Sequence, residues 1–157
     1  MAVGDVALLD RREIEARIVA PLLEAFAGEL GEARALDVAS SVIGALAREA
    51  GAAAAARMGR NDLFALAEVV RTIWSRASAL DVDFIEESGR VLAFEVRRCV
   101  YAETYERLGV RKYGVCLSCG RDAAFAEGFN PRIRMRRTMT IMEGAPRCDF
   151  RFTLEEA

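Results

Sequence analysis

The stretch RIRMRRTMTIMEGAPRCDFRFT, residues 132–153, decides the fold. In its first half, apolar side chains at every second position alternate mainly with arginine and threonine. The alternation resumes after the turn residues Glu143 to Pro146. A period of two is typical of half-buried β-strands, because successive side chains point to opposite faces of a sheet. The stretch therefore predicts a C-terminal β-hairpin with strands at 132–142 and 147–153.

A second pair of strands is predicted upstream, at 82–87 and 90–97. Apolar residues alternate with charged or small ones in the second of these segments, and a Ser-Gly pair marks the turn between them. Two hairpins predict a four-stranded antiparallel sheet. Short helices are expected between the hairpins, at 100–108 and 114–126.

The first 79 residues have the periodicity of helices instead. Apolar residues at intervals of four form one stripe of a helix: Ile14, Ile18, Leu22 and Phe26. Pro21 falls inside this stripe, so we expect a kink there or two abutting helices. Helices should fill residues 11–78, and this half shows no cluster of polar residues of the kind that chemistry needs.

Together these patterns predict an α+β fold, in which N-terminal helices pack on a four-stranded antiparallel sheet with a C-terminal β-hairpin. The length of 157 residues suits one domain with a core of its own. We expect a single α+β domain over 1–157. Its helical part is 1–79, and the part at 80–157 contains the sheet and all four cysteines.

The charge balance argues against nucleic acid and membranes as partners. The 22 basic residues are offset by 24 acidic ones, giving a net charge of −2, so there is no general attraction to phosphate backbones or anionic membranes. The N-terminus has no basic segment before its apolar residues, and the alanine-rich stretch 45–56 is too short to span a bilayer. We therefore expect a cytoplasmic protein.

The absence of histidine narrows the chemistry. Ser-His-Asp and Cys-His catalysis are excluded, as are zinc sites built on histidine. Any proton transfer has to use a carboxylate, a thiol, the single lysine, a tyrosine or a bound water.

The four cysteines allow three interpretations. Cys116 and Cys119 form a CxxC motif, and Asp122 follows three residues later. On a helix these residues would share one ridge, and a helix N-terminus would lower the thiol pKa and favour a nucleophilic thiolate. Cys99 and Cys116 fit equally well as small buried apolar residues. The third interpretation is a structural zinc site, although such sites usually contain two CxxC pairs. Its ligands would be Cys99, Cys116, Cys119 and Cys148.

Arg137 is the most unusual residue of the predicted hairpin. Strand alternation places it on the apolar face with Met135 and Met139, whereas the other arginines of that strand fall on the opposite face. A charge on an apolar face has to be paired or has to hold an anion. Both an internal ion pair, to Asp122 or Glu103, and a bound anion are open at this point.

A set of short motifs in the C-terminal half carries a resemblance to a known family. In order, they are Arg98-Cys-Val-Tyr101, Cys119-Gly-Arg-Asp122, Ala126-Glu-Gly-Phe-Asn-Pro131, Arg137-Thr-Met-Thr-Ile141, Glu143-Gly144 and Cys148-Asp-Phe-Arg-Phe152. With their spacing, they resemble the L-2-amino-thiazoline-4-carboxylic acid hydrolase family over about residues 95–153. The resemblance implies hydrolytic opening of a small ring that contains sulfur and nitrogen and bears a carboxylate.

The activity expected from this resemblance is a hydrolase acting on the non-peptide C–N bonds of a cyclic amidine, with a small-molecule substrate. Cys119 is the expected nucleophile or water-orienting group, Asp122 the general acid/base, and Cys148 should face the same pocket from the sheet. Arg137 is expected to hold the substrate carboxylate. The expected substrate-binding residues are Arg137, Cys99 and Glu143. No metal or cofactor is expected.

Two other functions stay open. A sensor domain of the vinyl-reductase-like type would bind a small molecule in the same pocket without turning it over. A zinc-stabilised domain would be held together by the four cysteines and would have no activity. The sequence also leaves the oligomeric state open, with a homo-oligomer as one candidate.

Overall fold

The computed structural model describes residues 6–156. The helical part begins with two long helices, α1 (Leu8–Leu30) and α2 (Glu32–Met58). Gly31 joins them at a φ of +82°, in a region of backbone space that favours glycine. The short helix α3 (Leu63–Val69) follows, and it continues into a wider π-helical turn, Val70–Trp74. The prediction that helices fill most of 11–78 is confirmed.

The C-terminal part carries a four-stranded antiparallel sheet in the order β1-β2-β4-β3. Its strands are β1 (Leu80–Glu87), β2 (Val91–Cys99), β3 (Ile133–Arg136) and β4 (Cys148–Leu154). The two predicted hairpins meet at the centre of the sheet through β2 and β4, where Val96 lies opposite Cys148. The predicted α+β fold is therefore confirmed.

Two helices connect the hairpins. They are α4 (Val100–Arg107) and α5 (Arg121–Phe129), and a 3-10 turn, Arg111–Tyr113, and a π-helical turn, Val115–Cys119, lie between them. The π-helical turn closes with a hydrogen bond from the Gly120 N–H to the Val115 carbonyl at 2.7 Å. The helix predicted at 114–126 is thus two segments with different winding.

The predicted strand at 132–142 is wrong in its second half, because β3 ends at Arg136. Beyond it, the backbone N–H groups of Thr138 and Met139 donate to the carboxylate of Asp149 at 2.9 and 2.8 Å. The Asp149 side chain therefore accepts the hydrogen bonds that the backbone N–H groups of a longer strand would donate to β4. The chain then turns through a 3-10 segment, Ile141–Glu143.

The expected break at Pro21 is also wrong in part, because α1 is one helix with Pro21 inside it rather than two. The apolar stripe predicted for this helix is present. It lies on the outer surface, where Ile14, Ile18, Leu22 and Phe26 are each about half exposed. No helix within residues 6–156 has both the length and the hydropathy that a membrane span needs.

The buried face of the α1–α2 hairpin is made mostly of small residues. They are Ala16, Ala20 and Leu23 of α1, and Ala35, Ile43, Ala47, Gly51 and Ala54 of α2. An added Cβ at Gly51 would lie 2.1 Å from the backbone oxygen of Phe125, so α2 and α5 pack too closely there for any side chain. Small side chains are what allow this contact.

Candidate functional site

A cavity of about 240 Å³ lies between the sheet and the helical part. Apolar side chains make up most of its wall. They include Leu8, Ala54, Trp74, Val96, Phe125 and Phe150. Ala50, Ala53 and Arg57 also line the cavity and are exposed, so it opens to the surface beside α2. This volume lies just below the usual range for pockets that hold drug-sized ligands, so the cavity suits a smaller molecule.

Five of the six predicted site residues line this cavity. They are Cys99, Cys119, Asp122, Arg137 and Cys148. The structure does not bring Glu143 to it, because Glu143 lies exposed at the end of the 3-10 segment Ile141–Glu143.

A buried ion pair between Arg137 and Asp122 is the main polar feature of the cavity. The Arg137 Nη1 atom donates to the Asp122 Oδ2 atom at 2.6 Å, and Nη2 donates to the Cys119 carbonyl at 3.2 Å. The guanidinium carbon also lies 4.9 Å from the centre of the Phe150 ring. The side chains of Arg137 and Asp122 are only 11% and 21% exposed. Of the two alternatives for Arg137, the structure contains the internal pair.

The environment of Asp122 suits it to exchange a proton near neutral pH. Burial raises the pKa of its carboxyl to about 6, and the nearby Arg137 guanidinium opposes that rise without cancelling it. A carboxyl with such a pKa is mostly ionised at pH 7 and still accepts a proton readily. This is the property that a general acid/base requires.

Two of the cysteines converge on Thr140. The Sγ atoms of Cys119 and Cys148 lie 3.7 and 3.6 Å from its hydroxyl oxygen. Arg111 fixes the following turn by donating to the carbonyls of Ile141 and Met142 at 2.6 and 2.9 Å. The hydroxyl and the two thiols therefore form one small polar cluster on the cavity wall.

The prediction that a helix N-terminus lowers the pKa of a cysteine is wrong for Cys119 and Cys99, the two cysteines whose pKa is shifted. Burial raises the pKa of the Cys119 thiol to about 12, and the charge of Asp122 adds to the rise. Burial likewise raises the pKa of Cys99 to about 11. Both thiols are protonated at neutral pH, because the enclosing protein outweighs any effect of the helix end.

The CxxC motif does not act as a unit. The wider winding of Val115–Cys119 turns its two cysteines in different directions. Cys119 faces the cavity, whereas the Cys116 thiol accepts a hydrogen bond from the hydroxyl of Ser40 at 3.3 Å, outside the cavity lining. The four sulfurs are therefore not gathered at one point. Among residues 6–156, no group of three or more cysteine or acidic residues is placed to hold a metal ion.

The residues that sequence analysis missed are arginines of the helical part and of α5. Arg11 and Arg12 of α1 line the cavity together with Arg57 and Arg121. Arg11 Nε is buried and has no hydrogen-bond partner among the described residues. Burial lowers the pKa of Arg121, the positive charge of Arg12 adds to this, and the Glu15 carboxylate opposes it. In the sequence, these arginines look like ordinary charges on a helix surface, so no signal distinguishes them.

Comparison with known proteins gives one family and two related folds. The L-2-amino-thiazoline-4-carboxylic acid hydrolase family matches residues 11–152 of the chain. The search of curated proteins found no match to the chain. The sensory domain of the transcription activator PoxR, solved with phenol, has a TM-score of 0.56 and 13% identity, and the match covers 87% of this chain and 72% of that domain.

The second fold belongs to a trafficking protein particle complex subunit 3 from Naegleria fowleri, solved with covalently bound palmitic acid. Its TM-score is also 0.56, at 10% identity, and the match covers 93% of this chain and 96% of that subunit. At these identities, the likeness of both proteins to the chain concerns the fold alone.

Proposed function

The chain belongs to the L-2-amino-thiazoline-4-carboxylic acid hydrolase family, and from this premise we propose that its cavity binds a small carboxylate-bearing heterocycle and opens the ring by hydrolysis. The observation that carries the proposal is the buried pair of Asp122 and Arg137, which faces the same cavity as Arg11, whose buried Nε atom has no hydrogen-bond partner among the described residues. The site thus combines a proton acceptor with an unused donor for an anion.

Arg11 is the proposed anchor of the substrate carboxylate. A buried N–H without a partner is costly, so the bound ligand has to supply an acceptor. Arg12 and Arg121 are close enough to share Glu15, at 2.7 and 3.0 Å, and they add positive charge beside Arg11. Sequence reasoning assigns the carboxylate to Arg137. In this proposal the role passes to Arg11, because Asp122 already engages the Arg137 guanidinium.

Arg137 then acts as a positioning residue for Asp122. Its guanidinium bridges the carboxylate and the Cys119 carbonyl, and this bridge fixes the first turn of α5 against the end of β3. It also keeps the pKa of Asp122 from rising further, so that the carboxyl remains ionised at pH 7.

The proposed reaction is a hydrolysis that needs no other reactant. Asp122 takes a proton from a water molecule, and the water oxygen bonds to the ring carbon of the cyclic amidine. The bond from that carbon to the ring nitrogen then breaks. The nitrogen takes one proton back from Asp122 and the second from the newly added hydroxyl, whose oxygen becomes the carbonyl of the product. Cys119, as a neutral thiol beside Thr140, orients the water, and Cys148 completes that wall.

The test is turnover of 2-amino-thiazoline-4-carboxylate, followed by detection of the ring-opened product by mass spectrometry. Asp122→Asn should lower kcat/KM about 1,000-fold, since it removes the proton acceptor and keeps the shape. Arg11→Leu should raise KM about 10-fold or more, with a smaller effect on kcat.

Cys116→Ser is the matched control for Cys119→Ser, because both replace a cysteine of the same motif and only Cys119 lines the cavity. Activity should be unchanged in Cys116→Ser and reduced in Cys119→Ser. The proposal fails if the wild-type protein forms no ring-opened product, or if Asp122→Asn retains full activity.

A ligand-binding sensor is the second candidate function. Two observations favour it: the thiols of Cys99 and Cys119 are protonated, and most of the cavity wall is apolar. The phenol-responsive domain of PoxR has the same fold. Calorimetry separates the two functions. A sensor would bind the heterocycle or a simple phenol with a measurable Kd and leave it chemically unchanged after prolonged incubation.

A further inference from the structure

The outer face of the α1–α2 hairpin carries two apolar stripes. The α1 stripe is Ile14, Ile18, Leu22, Phe26 and Leu30, and the α2 stripe is Val38, Val42 and Leu46. Each of these eight side chains is between 48% and 60% exposed. Single exposed apolar residues are ordinary, but a contiguous set of this length marks a surface that binds another.

Both stripes border the groove between the two helices. On the opposite flank of α1, Glu13 and Glu24 are engaged by Arg107 and Lys112 of the C-terminal part. At 3.6 residues per turn, the α1 stripe lies on the other flank, toward α2. On α2, Arg48 binds Glu127 of α5 at 2.7 Å, and the α2 stripe again lies on the other flank, toward α1. The stripes therefore form one continuous surface, the outer face of the hairpin.

We propose that a second copy of this chain covers the outer face, and that two hairpins pack as a four-helix bundle in a symmetric dimer. Eight half-exposed large side chains present on the order of 700 Å² of surface, which is close to the about 800 Å² per partner of a standard interface. Monomeric proteins rarely expose a contiguous apolar patch as large as this one.

The spacing of the stripes fits a two-fold axis that crosses both helices in the interface plane. The five residues of the α1 stripe are centred on Leu22, so an antiparallel α1 of the second copy would bring Leu22 against its own counterpart, and Phe26 against Ile18. The three residues of the α2 stripe are centred on Val42 in the same way. Since α1 and α2 run antiparallel from Gly31, Leu22 and Val42 lie at about the same level, and one axis serves both.

The charges on α2 complement one another under the same axis. Arg34 and Glu49 lie at opposite ends of its stripe, and neither makes an ion pair with the residues that the structure describes. Antiparallel packing centred near Val42 places Arg34 of one copy beside Glu49 of the other. The surface is thus complementary to itself in both its apolar residues and its charges, which favours a second copy over an unrelated partner.

The test is the mass of the wild-type protein in solution, measured by light scattering after gel filtration, and we expect twice the chain mass. Leu22→Glu places two like charges at the axis and should raise the dimer Kd about 100-fold or more. Val42→Glu should do the same on the other helix. Ile85→Glu is the control: Ile85 is 66% exposed on β1, away from the outer face, and this variant should stay dimeric.

A charge reversal tests the direction of packing. Arg34→Glu should weaken the dimer, because it would face Glu49 of the second copy, and adding Glu49→Arg should restore it. The proposal is overturned if the wild-type chain is a monomer at every concentration over a 100-fold range. It is also overturned if the dimer persists in both Leu22→Glu and Val42→Glu. Failure of the double reversal to restore the dimer would overturn the antiparallel arrangement.

Discussion

The inner and outer faces of the α1–α2 hairpin reverse the usual relation between side-chain size and burial. The inner face buries alanines such as Ala16, Ala20 and Ala47, whereas the outer face exposes Ile18, Phe26 and other large apolar side chains. The inner face has to let backbones approach closely and leave room for a cavity, so it needs small residues. In this hairpin, therefore, large apolar residues such as Ile18 and Phe26 mark the outer face and not the core.

The first and largest expected effect concerns the inner face. Gly51→Ala should destabilise the fold by about 4 kcal/mol, because its Cβ would lie 2.1 Å from the Phe125 oxygen and 2.8 Å from the Phe129 nitrogen. Gly44→Ala is the matched control on the same helix: its Cβ meets only the end of Arg48, at 3.7 Å. That variant should be about 0.5–1 kcal/mol more stable. Urea unfolding measures both, and equal effects would contradict the close contact.

The second prediction concerns the ion pair that the inner face helps to enclose. Arg137→Met removes the partner of a buried carboxylate and should cost about 3 kcal/mol of stability at pH 7. Arg137→Lys keeps the charge and loses the second donor to the Cys119 carbonyl, so its cost should fall between wild type and Arg137→Met. Thermal unfolding with and without ligand measures this. A stable Arg137→Met variant would show that the pair does not hold α5 in place.

The third prediction compares neighbouring leucines on the two faces. Leu23 is 4% exposed and Leu22 is 49% exposed. Leu23→Ala should cost about 2.5 kcal/mol, and Leu22→Ala less than about 1 kcal/mol. Both are measured in the Val42→Glu background, so that self-association does not contribute. Equal losses would mean that the outer face is part of the core of a single chain.

Sequence patterns predicted most of the fold, and they pointed to five of the residues that line the cavity. Alternation of apolar and polar residues was sufficient to predict the sheet and its hairpins, and helical periodicity was sufficient to predict the helices of the first half. Both patterns reflect local backbone geometry. The end of β3 was missed because it depends on Asp149, a residue of the returning strand that accepts hydrogen bonds from the N–H groups of Thr138 and Met139. Periodicity alone does not indicate such hydrogen bonds between a side chain and the backbone.

The family motifs pointed to residues of the cavity wall that lie far apart in the sequence, Cys99, Cys119, Asp122, Arg137 and Cys148. Their role in a reaction stays a prediction. Arg11 was missed because its role depends on the packing of α1 against the C-terminal part, and the protonated state of Cys119 was missed because burial sets it. Both depend on enclosure, which is a property of the folded protein and not of any short motif.

The central claim is that Asp122 accepts the proton in ring opening, and that the Cys119 thiol stays protonated. The pH dependence of kcat/KM tests it most directly. Because the pKa of Asp122 is raised to about 6, activity should fall tenfold per pH unit below pH 6, where the carboxyl is protonated, and should be level from about pH 7 to 9. A nucleophilic Cys119 thiolate, whose pKa lies at about 12, would instead give a rate that rises tenfold per unit across pH 7 to 9. That continued rise would contradict the account.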